Sequence, residues 1–210
     1  MPASFKALEA RPGKVSEEQQ ARWVQEANEW YGRAEAELGA IKVAVRADHP
    51  FSLDGVTEVA EAFVTALSHS DRLLVKVVSG QQGDLVISNL IHTAILSILL
   101  ARGLQYPREG LVRLGMAALL HDIGMWTVPE TLWDKPGLLS REERAVIKQH
   151  PEVGARIIRR LGPEAEWLAD IIVQEHERFE GQGYPRGLQG EAIHADAQVI
   201  GLADTLDALI

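Results

Sequence analysis

The stretch from Ala117 to Gly124, Ala-Ala-Leu-Leu-His-Asp-Ile-Gly, constrains this chain more than any other. An apolar run stops at an imidazole and a carboxylate side by side, His121 and Asp122, and a glycine follows at 124. Polar groups left unpaired at the end of a buried helix cost several kcal/mol. A divalent ion removes that cost, because neutral imidazole nitrogen and carboxylate oxygen are its natural ligands. Read alone, the stretch also suits a helix end with a glycine stop and a polar cap. The rest of the chain favours the ion by supplying more ligand-type residues at helix ends.

Those ligands have to be nitrogen and oxygen donors. The chain has no cysteine, which excludes disulfides and thiolate metal sites. Its 210 residues are 46% hydrophobic and 24% charged, a balance that suits a globular protein with a substantial core. A net charge of −9 argues against a protein that coats nucleic-acid polymers or anionic membranes, while leaving room for a local positive site. No apolar run is read as reaching the roughly 20 residues of a membrane span. Residues 1–13 lack the basic-then-apolar layout of a signal peptide, and Pro12-Gly13 separates them from the first helix. These features predict a cytoplasmic protein with no membrane contact.

The hydrophobic spacing predicts helices throughout and no strand. Ser16, with Gln19 three residues on, opens a helix to about Val45, and Trp23, Ala27, Trp30, Ala34 and Leu38 form its apolar stripe. That stripe serves a core or a homodimer seam. Ser52 or Asp54 caps a second helix, Val56 to His69, and Asp71 to Val78 forms a short third. Leu85 to Arg102 is nearly all hydrophobic and predicts a central helix carrying His92. Arg108 to Leu120 leads into His121-Asp122. Asp134-Lys135-Pro136-Gly137 is a tight turn, and Ser140-Arg141-Glu142-Glu143 is a capping box for a helix to about Gln149. His150 precedes Pro151, so it belongs at a helix junction. Ala165 to Glu177 predicts a helix ending in Glu175-His176. The loop Gly181 to Gly187 comes next, and then a helix from Ala195 to Ile210.

Four helix ends and two helix interiors thus carry His92, His121, Asp122, His150, Glu175, His176 and Asp204. In a helical bundle these could meet around metal ions and form a hydrolytic site. Spacing alone does not establish that they converge.

A resemblance goes further. In order, His121-Asp122-Ile123-Gly124, Lys135-Pro136-Gly137, His150-Pro151, His176-Glu177-Arg178, Gly183-Tyr184-Pro185 and Ala203-Asp204-Thr205-Leu206-Asp207 resemble the HD-GYP family of metal-dependent phosphodiesterases. The likeness covers roughly residues 80–210. It implies an all-α HD-domain bundle over 81–210, cut short at its C-terminus; the helical N-terminal region over 1–80 before it is read from its own spacing and aromatic stripe, with a dimerisation or regulatory role expected. It implies hydrolysis of a cyclic dinucleotide, cyclic di-GMP first, through a metal-activated water. His92, His121, Asp122, His150, His176 and Asp204 match the family's ligand positions for a site of two or three metals, often iron or manganese. Glu175 is expected to join them as a carboxylate able to hold a hard ion, and two ions are expected here. His121 and Asp122 are the implied catalytic pair, and Lys135, Arg178 and Tyr184 the implied substrate contacts. Lys135 also has a simpler reading, as a stabiliser of the Pro-Gly turn. The Gly-Tyr-Pro loop is the implied site for substrate or for a protein partner.

The chain departs from that pattern at Glu175, where the family has a second adjacent histidine, and at Met125, where it has a lysine. Ser88 stands where three-metal members have a glutamate, and Phe179-Glu180 replaces a Trp-Asp pair. Both of the first two changes lower the positive charge of the site. The expectation is slower turnover or a different substrate, and an alternative is a degenerate domain that senses a cyclic dinucleotide or binds a partner without turnover. A broader reading, a phosphohydrolase acting on nucleotide monophosphates, is disfavoured by the Gly-Tyr-Pro loop.

Overall fold

Side-chain caps in the sequence set several of the helix starts. In the computed structural model, which describes residues 15–80, 83–133 and 135–210, Ser16 Oγ accepts from the Gln19 amide at 3.1 Å and opens α1, Glu17–Arg46. The expected breaker at Pro12-Gly13, the Gln81-Gln82 part of a turn and Asp134 lie outside those residues. Helix α2 is Asp54–His69 and α3 is Arg72–Val78. Neither expected side chain caps α2: Leu53 holds that position, and Ser52 Oγ instead accepts from the Asp54 amide. Asp84 caps α4, Leu85–Gly103, by accepting from the amides of Val86 and Ile87. Helix α5, Arg108–Leu120, runs into a 3-10 turn, Ile123–Thr127. A single-turn α6, Glu130–Trp133, precedes α7, Arg141–Ile147, which opens on the full Ser140/Glu143 capping box. Helix α8 is His150–Arg159, α9 is Glu166–Ile172 and α10 is Ala195–Asp207. The described residues contain no strand, only one isolated bridge between Glu180 and Gln189, so the architecture is all-α.

Helix α4 is the axis of the bundle. It packs against α5 and α10 most extensively and also against α1, α2 and α3. It is apolar on every side because it is surrounded on every side. Its 19 residues are long and apolar enough to cross a membrane by length and composition, which corrects the expectation that no such run exists. In the fold that helix is mostly buried against its neighbours.

One hydrophobic cluster runs through the described chain. Leu38 and Ile41 from α1, Phe63 and Leu67 from α2, Ile91 and Ile95 from α4, and Leu114 and Leu119 from α5 are all 2% exposed or less. The α1 stripe is therefore spent on the chain's own core at Ala27, Ala34 and Leu38. Several ion pairs hold α1 over the domain, two of them near the elements that build the polar centre. Lys42 pairs with Asp84 at 2.5 Å, at the start of α4, and Arg46 pairs with Glu130 at 2.6 Å, just past the His-Asp turn. Burying this much apolar surface, at about 25 cal/mol per Å², is what lets the bundle carry a polar centre.

Candidate metal centre

The end of α5 delivers His121 fully buried and Asp122 half-buried at the start of the 3-10 turn. That turn sits directly on the first residues of α8. A Cβ at Gly124 would fall 2.0 Å from the His150 carbonyl oxygen and 2.8 Å from the Gly154 amide nitrogen, so only glycine permits the contact. The close approach brings His150, at the N-terminus of α8, beside Asp122. Glu175 and His176 arrive from a different direction. The expected helix to Glu177 ends at Ile172, and Gln174 and Glu177 continue as tight turns through bonds to the carbonyls of Ile171 and Gln174.

Asp122, His150, Glu175 and His176 meet. One donor atom from each lies within 4.8 Å of the others. His150 Nε2 is 2.8 Å from Asp122 Oδ1 and 2.9 Å from His176 Nε2, and His176 Nε2 is 2.5 Å from Glu175 Oε1. On the other side of Asp122, His121 Nε2 stands 3.9 Å from both Asp122 Oδ2 and Asp204 Oδ1. Asp122 thus faces both groups with one oxygen each.

The donors fit a cation better than they fit each other. His121 Nδ1 lies 2.8 Å from the Ala118 carbonyl, and His150 Nδ1 lies 2.8 Å from the Ile147 carbonyl. A carbonyl only accepts, so each Nδ1 carries a hydrogen and each Nε2 is the nitrogen left to face inward, the one whose lone pair a bound metal would take once its proton is lost. His121 Nε2, Asp122 Oδ1 and both Glu175 oxygens are buried without a well-angled hydrogen-bond partner. Neighbouring ligands about 2.1 Å from an octahedral ion stand about 3 Å apart, close to the 2.8 and 2.9 Å from His150 Nε2 to Asp122 and His176.

Charge crowding points the same way. Burial pushes Asp122 upward, but the facing His150 and His121 hold it far below the usual carboxylate range. Burial likewise pushes Glu175 upward, and His176 and His150 hold it down. Burial alone would lower His150, yet Asp122 and Glu175 raise it to about 10. His121 is raised against its own burial by Asp122, Glu175 and Asp204. Without a cation, protons take the place of one on the imidazoles.

The other residues expected at the site fall in different places. His92 is 1% exposed on α4, with Nδ1 2.8 Å from Asp207 and Nε2 3.0 Å from the Tyr31 hydroxyl. Both its nitrogens are engaged away from the cluster. The α4 residue that does reach the site is Asn89, whose Nδ2 donates to Asp204 Oδ1 at 3.0 Å. Ser88 is buried in the same helix. Lys135 is held by both oxygens of Glu143 at 2.6 and 2.7 Å, so it braces the turn before α7. Arg178 lies along the carbonyls of Glu175 and Glu177, close to Gly201.

Tyr184 stacks on His176, with ring centroids 4.6 Å apart and planes at 25°. Its hydroxyl is pushed well above the usual range by burial and by Glu175, Asp122 and Asp204, so it stays a neutral donor. Two contributors are not apparent from the sequence. Glu177, 5% exposed, accepts from the amides of Arg186 and Leu188 at 2.7 and 2.9 Å and so pins the Gly-Tyr-Pro loop. Lys148 places its ammonium 4.8 Å from the Tyr184 ring centroid, and no ion pair among the described residues engages it. A carboxylate one residue after His176, and a lysine two before His150, were the available signals.

Comparison with known proteins adds the family context. Residues 64–210 match the family model described as HD domain. The chain is 33% identical over 151 residues to a cyclic di-GMP phosphodiesterase of Pseudomonas aeruginosa, covering 72% of this chain and 36% of that protein. It is 38% identical over 115 residues to the cyclic di-GMP phosphodiesterase response regulator RpfG of Xanthomonas campestris, covering 53% of this chain and 30% of that one. It is 37% identical over 118 residues to a 3'3'-cGAMP-specific phosphodiesterase of Vibrio cholerae, covering 56% and 25%. The chain therefore spans about a third or less of the length of these relatives. A solved HDG"Y"P protein from Bdellovibrio bacteriovorus shares the fold, with a TM-score of 0.70 at 22% identity over 96% of this chain and 63% of that one.

Proposed function

The chain belongs to the HD domain family, in its HD-GYP branch, and on that premise we propose that it hydrolyses a phosphodiester bond of a cyclic dinucleotide, cyclic di-GMP first, with two divalent ions, iron or manganese. The observation that carries this reading is the convergence of Asp122, His150, Glu175 and His176 within 4.8 Å, with the orphaned His121 Nε2 beside Asp122 and Asp204. Asp122, His150, Glu175 and His176 would hold one ion; His121, Asp122 and Asp204 would hold the other. When bound, such ions activate water and polarise a phosphoryl oxygen.

The chain's own residues do the rest. Asp122 links the two sets through separate oxygens, which fixes their separation. The carbonyls of Ala118 and Ile147 lock the tautomers of His121 and His150. Tyr184 lies flat against His176 and presents a neutral hydroxyl toward a phosphate oxygen. Lys148 supplies the cation that Met125 does not, while Lys135 is already neutralised by Glu143. The names of the similar proteins, phosphodiesterases of cyclic di-GMP and of 3'3'-cGAMP, support the substrate class. We assign residues 81–210 to this chemistry and the helices before them to its control.

The test is incubation of the anaerobically purified chain with cyclic di-GMP, and separately with 3'3'-cGAMP, in the presence of Mn²⁺ or Fe²⁺. Linear dinucleotide or mononucleotide, lost on chelation, is the expected outcome. Absence of product from both substrates with metal bound overturns the reading.

A further inference from the structure

Helix α4 turns three polar residues toward α1 and the metal centre: Ser88, which hydrogen-bonds the Tyr31 hydroxyl, Asn89 and His92. From them a continuous set of hydrogen bonds can be traced. The Tyr31 hydroxyl on α1 lies 3.0 Å from His92 Nε2. His92 Nδ1 lies 2.8 Å from Asp207 Oδ1. Asp207 Oδ2 accepts from Asn89 Nδ2 at 2.9 Å, and the same Nδ2 donates to Asp204 Oδ1 at 3.0 Å. Asp204 Oδ1 is the oxygen facing His121.

The chemistry of each link fixes its direction. The Asn89 amide sits between two carboxylates, so both its hydrogens point at them and its orientation is set. Asp207 accepts on both oxygens. His92 therefore carries its hydrogen on Nδ1 and accepts the Tyr31 hydroxyl hydrogen on Nε2. His92 and Asp207 are 1% and 5% exposed, so water does not compete for these bonds. Asp204, by contrast, is half-buried and comes from α10, three residues before that helix ends at Asp207. The bond from Asn89 holds its Oδ1 on the side of His121.

We propose that Tyr31, His92, Asp207 and Asn89 form a brace that holds Asp204 in its ligating position, so that retention of the ion on the His121 side depends on helix α1. This rests on the two-ion reading above. The ion on the His150 side has its own ligands and is independent of the brace. Tyr31 is thus a positioning residue, and α1, tied to α4 again through Lys42 and Asp84, is the lever through which residues before the HD domain bear on the metals.

Mn²⁺ titration of the whole chain by calorimetry, with electron paramagnetic resonance to count bound ions, tests it. The wild type is expected to bind two ions. Tyr31→Phe, which removes one hydroxyl, should weaken the second ion several-fold and leave the first unchanged. Asn89→Ala should weaken the second ion about 10–100-fold, the usual effect of losing a group that orients a ligand. A purely structural Tyr31 would lower the melting temperature of the metal-free protein without separating the two affinities. Equal affinities in wild type and both variants, or equal weakening of both ions, overturns the brace and leaves the metal reading standing. A wild type with no second ion overturns the brace, and one with no ion at all removes the hydrolase reading as well.

Discussion

Replacing Gly124 by alanine tests whether the His-Asp turn and α8 are machined against each other. The added Cβ would lie 2.0 Å from the His150 carbonyl oxygen, whereas ordinary contact begins near 3.4 Å. The neighbouring atoms are backbone, from His150 and Gly154, so no side chain can swing away. The turn and the start of α8 must separate by about 1.4 Å, and His150 moves with its own carbonyl. Overpacking of this kind costs about 1–3 kcal/mol, which lowers the melting temperature by several degrees. The larger effect is on the site. His150 Nε2 is 2.8 Å from Asp122 Oδ1, and a misplacement of about 1 Å costs on the order of 100-fold in a positioned reaction. The assay is Mn²⁺ affinity by calorimetry beside thermal melts of metal-free and loaded protein. Gly39→Ala is the control, because its Cβ would meet nothing within 4 Å in the interior of α1, and alanine there should stabilise by about 0.5–1 kcal/mol. A Gly124→Ala protein that binds Mn²⁺ as tightly as the wild type would refute the reasoning.

The same geometry sets two further outcomes. In the metal-free chain His150 holds its proton to about 10 against an ordinary 6.5, so its stabilising effect is complete below pH 6.5 and lost as the pH rises through 10. Asp122 is depressed below its ordinary 3.8, so its effect is present above that pH and lost on acidification below it. The metal-free melting temperature should therefore fall between pH 7 and 10. Saturating Mn²⁺ should abolish the fall, because the metal requires the deprotonated imidazole; a flat metal-free profile would contradict the site's electrostatics. Among the lysines, Lys148→Met should raise KM for cyclic di-GMP about 5-fold, from loss of about 1 kcal/mol in an exposed phosphate contact, with kcat little changed. Lys135→Met should leave KM unchanged and lower stability slightly, and the opposite pattern in steady-state kinetics would return the substrate contact to Lys135.

Much of this architecture could be read from the chain because local chemistry decides it. Ser16 and Ser140 make the caps their spacing implies, and Pro151 puts His150 at a helix start. The abrupt end of an apolar helix at His121-Asp122 marks the metal centre for the same reason, since buried donors need a partner. The phase of α4 was not legible. A helix that is apolar on all sides has no polar face to fix its rotation, so the sequence does not tell whether Asn89 or His92 faces the site. The fold turns Asn89 to Asp204 and His92 to Tyr31 and Asp207. Of the lysines only Lys135 was legible, since Glu143, which closes its own capping box, also holds Lys135 at the turn as the simpler reading has it, whereas nothing local places Lys148 over the Tyr184 ring. Glu175 and His176 lie on turns beyond α9 rather than in it, because the two side chains must both reach one centre. Neighbouring positions on a helix point about 100° apart.

The most direct test of the centre is anomalous diffraction from crystals grown anaerobically with Mn²⁺. Two peaks are expected, one among Asp122, His150, Glu175 and His176, the other among His121, Asp122 and Asp204. Peaks elsewhere, or none at full occupancy of the protein, would contradict a two-ion centre.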